Sequence, residues 1–338
     1  MDEESTPMAG AHPGPRPRRR ARVAAAALVG AAAVAAVTAV VVRGGGDGAA
    51  QAGPVGGAGV GAGVGAEAGR AAADPARPAD RLVPAGAGYV ALGSSFAAGP
   101  GLAPVADVGC ARSAANYPQR VAAALELTLT DVTCSGTTTD NVLTKPHDAG
   151  GVQVPPQLDA LAADTRLVTI TVGGNDIGYV TALTDLACIQ AGDCPGYTVD
   201  RGAVDAATAA VESRLVVTLE AVRAAAPRAV VVLVTYPQIV PASGATCAEI
   251  GVTAPDAGYG AGLERLLHDV SVSAAGQAGV TVVDAYAASA GRDACGGGGR
   301  WVGGYPPADG PGVQAFHPTE AGMAGQADLV VAALTRRP

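Results

Sequence analysis

The stretch LVTITVGGND, Leu167 to Asp176, decides how this chain of 338 residues is read. Its first six residues are apolar or β-branched on both faces, as in a strand buried within a parallel sheet, and the run ends on a double glycine, a carboxamide and a carboxylate. Four more such runs occur, at Tyr89–Leu92, Leu127–Val132, Ala229–Val234 and Val280–Val283. Helical patterns lie between them, short at Tyr117–Leu125 and Pro156–Ala163 and long at Val199–Ala226 and Pro255–Gln277, while Thr319–Thr335 closes the chain. This alternation predicts a doubly wound α/β domain, a three-layer α/β/α sandwich on a five-stranded parallel sheet.

In such sheets reactive groups collect beyond the carboxyl ends of the strands. Gly173–Asp176 follow the third strand, Gly93-Ser94-Ser95-Phe96 the first and Ser135-Gly136 the second, and Phe316-His317-Pro318-Thr319 lies between the last strand and the last helix. A serine hydroxyl is a weak nucleophile until a base takes its proton, so Ser95 requires an imidazole nearby. Of the four histidines, His12 lies in the polar N-terminus and His268 sits mid-helix, where a surface or packing role is the plainer reading. His147 lies in a loop and stays open as a base, and His317 fits best. Taken alone, His317 reads as a polar residue ahead of a helix, with Pro318 in the first turn and Thr319 as cap. Asn175 can turn its carboxamide N–H toward an oxyanion, joined by the backbone N–H groups of Ser95 and Gly136. The plainer alternative for Asn175 is an ordinary Gly-Asn turn, and a glycine at 136 is nonspecific.

The first eighty residues do not read as part of that domain. Residues 1–22 are polar and basic, ending in Arg16, Arg18, Arg19, Arg20 and Arg22, and residues 23–42 are uncharged and rich in Ala and Val. At about 1.5 Å per residue, about 20 residues span the roughly 30 Å core of a bilayer. The arginines favour a cytoplasmic N-terminus and an extracytoplasmic remainder. The segment suits a membrane anchor or a long signal peptide with Ala50-Gln51-Ala52 as its cleavage site. Residues 43–81, rich in Gly, Ala and Pro, read as a flexible linker to a domain over 82–338.

Residues 1–43 carry six of the 22 Lys and Arg and three of the 30 Asp and Glu, so the rest holds 16 bases against 27 acids, a net of −11. Such acidity disfavours nucleic acid as a partner. Lys145 is the only lysine, which excludes a P-loop. All six cysteines, Cys110, Cys134, Cys188, Cys194, Cys247 and Cys295, fall in the expected exported part and argue for three disulfides. With no C-x-x-C pair and no H-E-x-x-H, no metal is expected, and no cofactor either.

Taken in order, the four segments resemble the blocks of the SGNH or GDSL-type hydrolases, which are esterases and lipases, over Tyr89 to Gly322. The resemblance implies Ser95 as nucleophile, Gly136 and Asn175 as oxyanion donors and His317 as base. It is nearest to the secreted bacterial lipases of three sequential disulfides, which implies the pairs Cys110–Cys134, Cys188–Cys194 and Cys247–Cys295. Two departures stand out. Ser94 replaces the usual Asp of the first block, and Gln314 stands three residues before His317, where the triad Asp is usual. Some secreted members orient the imidazole with a backbone carbonyl, so the carbonyl of Gln314 is expected to do so here, with Asp309 a distant second. The G-x-S-x-G elbow is not met, because Ala97 replaces its last glycine. The expected activity is extracytoplasmic hydrolysis of a small-molecule or lipid ester through an acyl-enzyme on Ser95. A carbohydrate acetyl esterase, mildly disfavoured by a 3% aromatic content, and a non-catalytic binding domain on a degenerate hydrolase fold are the alternatives.

Overall fold

In the computed structural model, which describes residues 81–307 and 314–335, the strands are β1 (Gly88–Gly93), β2 (Val105–Asp107), β3 (Arg112–Ser113), β4 (Thr128–Asp131), β5 (His147–Ala149), β6 (Val152–Val154), β7 (Leu167–Thr171), β8 (Val230–Val234) and β9 (Thr281–Val283). The helices are α1 (Ser95–Ala98), α2 (Tyr117–Leu125), α3 (Thr139–Leu143), α4 (Gly174–Ile177), α5 (Tyr179–Ala191), α6 (Arg201–Ala225), α7 (Ala254–Ala278), α8 (Ala285–Ala288) and α9 (Glu320–Ala333). The segments 1–22 and 23–42 and all of the linker 43–81 except Arg81 lie outside the described residues, as does Asp309. Among the described residues no helix is long and apolar enough to cross a membrane.

Five strands form one parallel sheet in the order β4-β1-β7-β8-β9. Successive side chains point to opposite faces, so each central strand feeds two cores. Val90, Leu92, Val168, Ile170, Val231 and Leu233 pack on the side of α5, α6 and α7, whereas Tyr89, Ala91, Leu167, Val232 and Val234 pack on the side of α2 and α9. Three-layer architecture follows from that double burial. The chain moves from β1 to one neighbour, β4, and then returns past β1 to the other, β7. At this switch of direction the loops beyond the strand ends diverge and leave a crevice.

The expected helix Pro156–Ala163 is instead a single 3-10 turn at Gln157–Ala160, ended by the extended backbone of Leu161. Sequence reasoning also passed over α5 and two hairpins, β2–β3 and β5–β6. The longer helices start where side chains can cap them: Asn116 accepts from the Gln119 amide, Thr253 from Asp256 and Thr319 from Gly322.

Candidate active site

The nucleophile turn is built on a residue that only glycine can supply. Gly93, the last residue of β1, has φ 134°, and a Cβ there would stand 2.5 Å from the Thr171 carbonyl oxygen of β7. The Ser94 amide donates to that same oxygen at 2.9 Å, and Ser95 then opens the short helix α1, whose first N–H groups have no intrahelical acceptor. Ser94, the residue that replaces the family's usual acid, lies 3.2 Å from the hydroxyl of Tyr236, which also accepts the Gly174 amide at 3.0 Å.

Ser95 and His317 meet although 222 residues separate them: Nε2 of His317 lies 2.9 Å from Ser95 Oγ. Phe96 packs against the imidazole at 5.3 Å between ring centres. The other ring nitrogen, Nδ1, lies 2.8 Å from the Ala315 carbonyl. A carbonyl only accepts, so Nδ1 carries the hydrogen and Nε2 presents its lone pair to the serine hydroxyl. The expectation for Gln314 is therefore corrected by one residue. Phe316 takes the left-handed conformation at φ 59°, the chain turns there, and the Gln314 carbonyl accepts the His317 amide at 3.3 Å instead of the ring. Burial pulls the His317 pKa down from 6.5 to about 4, against the raising effect of the Ala315 hydrogen bond. The histidine loop is held by bonds from the Gly303 amide to the His317 carbonyl and from the Thr319 amide to the Trp301 carbonyl, both 2.9 Å.

The loop after β4 is tied down by its main chain and by Thr137. The Cys134 amide donates to the Gly93 carbonyl and the Ser135 amide to the Cys110 carbonyl, both at 3.0 Å, beside the Cys110–Cys134 disulfide. His147 lies with Nε2 2.8 Å from the Ser135 carbonyl, so it donates there and is occupied away from Ser95. Thr137 is the junction of the loop. Its amide donates to the Cys134 carbonyl, its own carbonyl accepts Asn175 Nδ2 at 2.9 Å, and its hydroxyl accepts Gln157 Nε2 at 3.1 Å. Gly136, at φ 87°, keeps an amide with no acceptor among the described residues. Asn175 has a second N–H equally free of acceptors there. The last residue of the motif, Asp176, accepts the Thr139 amide at 3.0 Å and its hydroxyl at 2.5 Å, so it joins α4 to the start of α3. Burial raises its pKa, opposed by those bonds.

The structure pairs Cys188 with Cys194 and Cys247 with Cys295, completing the three sequential disulfides. His268 bonds Asp269 and Asp284 and stacks on Tyr286 at 4.7 Å, away from the serine. Among the described residues no group of three or more His, Cys, Asp or Glu could hold a metal ion. Besides Ala315, two site residues, Tyr236 and Gln157, escaped sequence reasoning. Tyr236 lies two positions past the end of β8, where the strand-end rule would have directed attention. Gln157 carries no such signal, since it follows two prolines in a segment read as helix.

Comparison with known proteins places the chain among ester hydrolases. Residues 91–324 match the GDSL-like Lipase/Acylhydrolase family. The chain is 39% identical over 231 residues to Lipase 2 of Streptomyces coelicolor, covering 63% of this chain and 75% of that protein. Phospholipase A1 from Streptomyces albidoflavus superposes with a TM-score of 0.60 at 31% identity, covering 73% of this chain and 99% of that one. The extracellular lipase of Streptomyces rimosus also gives 0.60, at 25% identity, over 74% of this chain and 100% of that one.

Proposed function

The chain belongs to the GDSL-like lipase/acylhydrolase family and is a carboxylic ester hydrolase, and we propose that it cleaves lipid or small-molecule esters outside the cytoplasm through an acyl-enzyme on Ser95. The observation that carries this reading is the 2.9 Å approach of Ser95 Oγ to a His317 whose tautomer leaves Nε2 free to accept a proton. Ser95 Oγ attacks the ester carbonyl carbon while its proton passes to Nε2, and the carbonyl electrons move onto oxygen. The amides of Ser95 and Gly136 and the second N–H of Asn175 donate to that oxyanion. Ala315 accepts from Nδ1 throughout and so stabilises the imidazolium. His317 then gives the proton to the departing alkoxide. Water attacks the acyl-enzyme by the same route and releases the acid.

Domain organisation follows the same reading. Residues 82–338 are the hydrolase domain, residues 43–81 the tether, and residues 23–42 an anchor or signal behind the basic residues 1–22. Three disulfides and an extracellular relative support an oxidising location. One experiment tests the whole proposal. Expressed full-length in a host that exports it, the protein should be labelled by a fluorophosphonate at Ser95, with the label lost in Ser95→Ala. The labelled species should occur in the membrane or the medium, with N-terminal sequencing showing whether residues 23–42 remain. A Ser95→Ala protein that labels like wild type overturns the mechanism, and a label confined to cytosol overturns the location.

A further inference from the structure

Gln157 is 5% exposed, and its carboxamide has both N–H groups and its oxygen engaged. Its Oε1 accepts the Gly93 amide at 2.7 Å, and its Nε2 donates to the Gly93 carbonyl at 3.0 Å and to the Thr137 hydroxyl at 3.1 Å. These bonds sit where the sheet stops. β4 is paired with β1 only as far as Asp131 opposite Ala91, and a continued parallel ladder would offer the Gly93 amide a carbonyl from β4. Here the Cys134 amide still reaches the Gly93 carbonyl, but no main-chain carbonyl among the described residues meets the Gly93 amide; Gln157 Oε1 takes that acceptor's place, and Nε2 shares the Gly93 carbonyl with Cys134.

Gly93 lies two residues before Ser95, and Thr137 lies one after Gly136 and bonds Asn175. One buried amide thus joins the turn that carries the nucleophile to the loop that carries Gly136 and anchors Asn175. We propose that Gln157 is a positioning residue that sets the distance between Ser95 and the oxyanion donors, so that its three bonds act on the transition state more than on substrate binding. The inference rests on the acyl-enzyme reading of Ser95. Gln157 opens a 3-10 turn behind Pro155 and Pro156, and none of its side-chain bonds goes to Ser95 or His317.

The test compares the full-length wild type with Gln157→Met, which keeps the length of the side chain and removes all three bonds. An alkylboronic acid serves as probe: its trigonal boron takes Ser95 Oγ to become tetrahedral as the hydroxyl proton passes to His317 Nε2, setting a boron-bound oxygen where the oxyanion would lie. Gln157→Met should lower kcat on a p-nitrophenyl ester by about tenfold or more, with KM within about twofold, and weaken boronate binding by a similar factor. A purely structural role would lower the amount of folded protein without moving kcat per labelled serine. Folded Gln157→Met with wild-type kcat and boronate affinity overturns the proposal. If Gln157→Met does not fold, Thr137→Val decides, since it deletes only the hydroxyl acceptor: a lower kcat and weaker boronate binding at unchanged KM support the clamp, and wild-type values overturn it. A wild-type protein that fails to react with a fluorophosphonate overturns the acyl-enzyme reading instead.

Discussion

His317 is a buried base whose orientation depends on main chain. The usual carboxylate partner adds negative charge and would raise the histidine pKa, whereas the Ala315 carbonyl supplies only a dipole, and burial therefore dominates. The neutral ring is the form that accepts the serine proton, so lowering the pKa extends activity toward acid. On the proposed mechanism, kcat/KM should stay level as pH falls through 6 to 7, where an ordinary histidine titrates, and decline as pH falls through about 4. A pH–rate profile with its acid limb at 6 to 7 would contradict the burial of this ring. Stability runs the same way: the unfolded chain takes up the proton near 6.5 and the folded one near 4, so His317 makes the fold progressively less stable as pH drops across that window. The pairing of Ser95 with His317 was legible from residue type and strand-end position. The acceptor at Nδ1 was missed by one residue because nothing about a phenylalanine announces the left-handed turn at Phe316.

At the scale of elements, the reactive turn depends on how closely β1 and β7 approach. The gap between Gly93 and Thr171 admits a hydrogen atom and no methyl group, and Ser94 continues the ladder immediately afterwards. Gly93→Ala should therefore shift the start of α1 and lower kcat by about 10², the scale expected for roughly 1 Å of misplacement. Ester turnover measured on folded protein checks this, and wild-type kcat would contradict the close approach. The central strands β1, β7 and β8 could be read from their apolar and β-branched runs because a strand buried on both faces needs no alternation to be recognised, and the edge strands β4 and β9, though more exposed, keep β-branched residues. The hairpins β2–β3 and β5–β6 could not, being two or three residues per strand with polar and apolar residues mixed. α5 was hidden for a different reason. It begins directly after Gly178, close behind a Gly-Gly-Asn-Asp turn, and Thr181, Thr184 and Val180 weaken its helical signal.

For the molecule as a whole, the disulfides close loops with sequence separations of 24, 6 and 48 residues. Loop-closure entropy ranks their removal at about 3.5, 2 and 4 kcal/mol respectively. Replacing Cys247 and Cys295 by serine should therefore cost most, lowering Tm by about 8–16 °C for a domain of this size. Calorimetry of the three double variants checks the order, and a largest drop for Cys188 with Cys194 would refute it. Global architecture was the most legible level, since alternating strands and helices admit few topologies. Cysteine pairing was not legible from spacing alone, because six cysteines allow 15 arrangements and only likeness to known proteins selected one. That arrangement, each cysteine joined to the next along the chain, has a consequence for biogenesis. On the proposed topology the exported part emerges behind residues 23–42 and meets the oxidant with its cysteines in numerical order. Joining each new thiol to the one before it produces the native set directly, with no wrong bond to be exchanged afterwards.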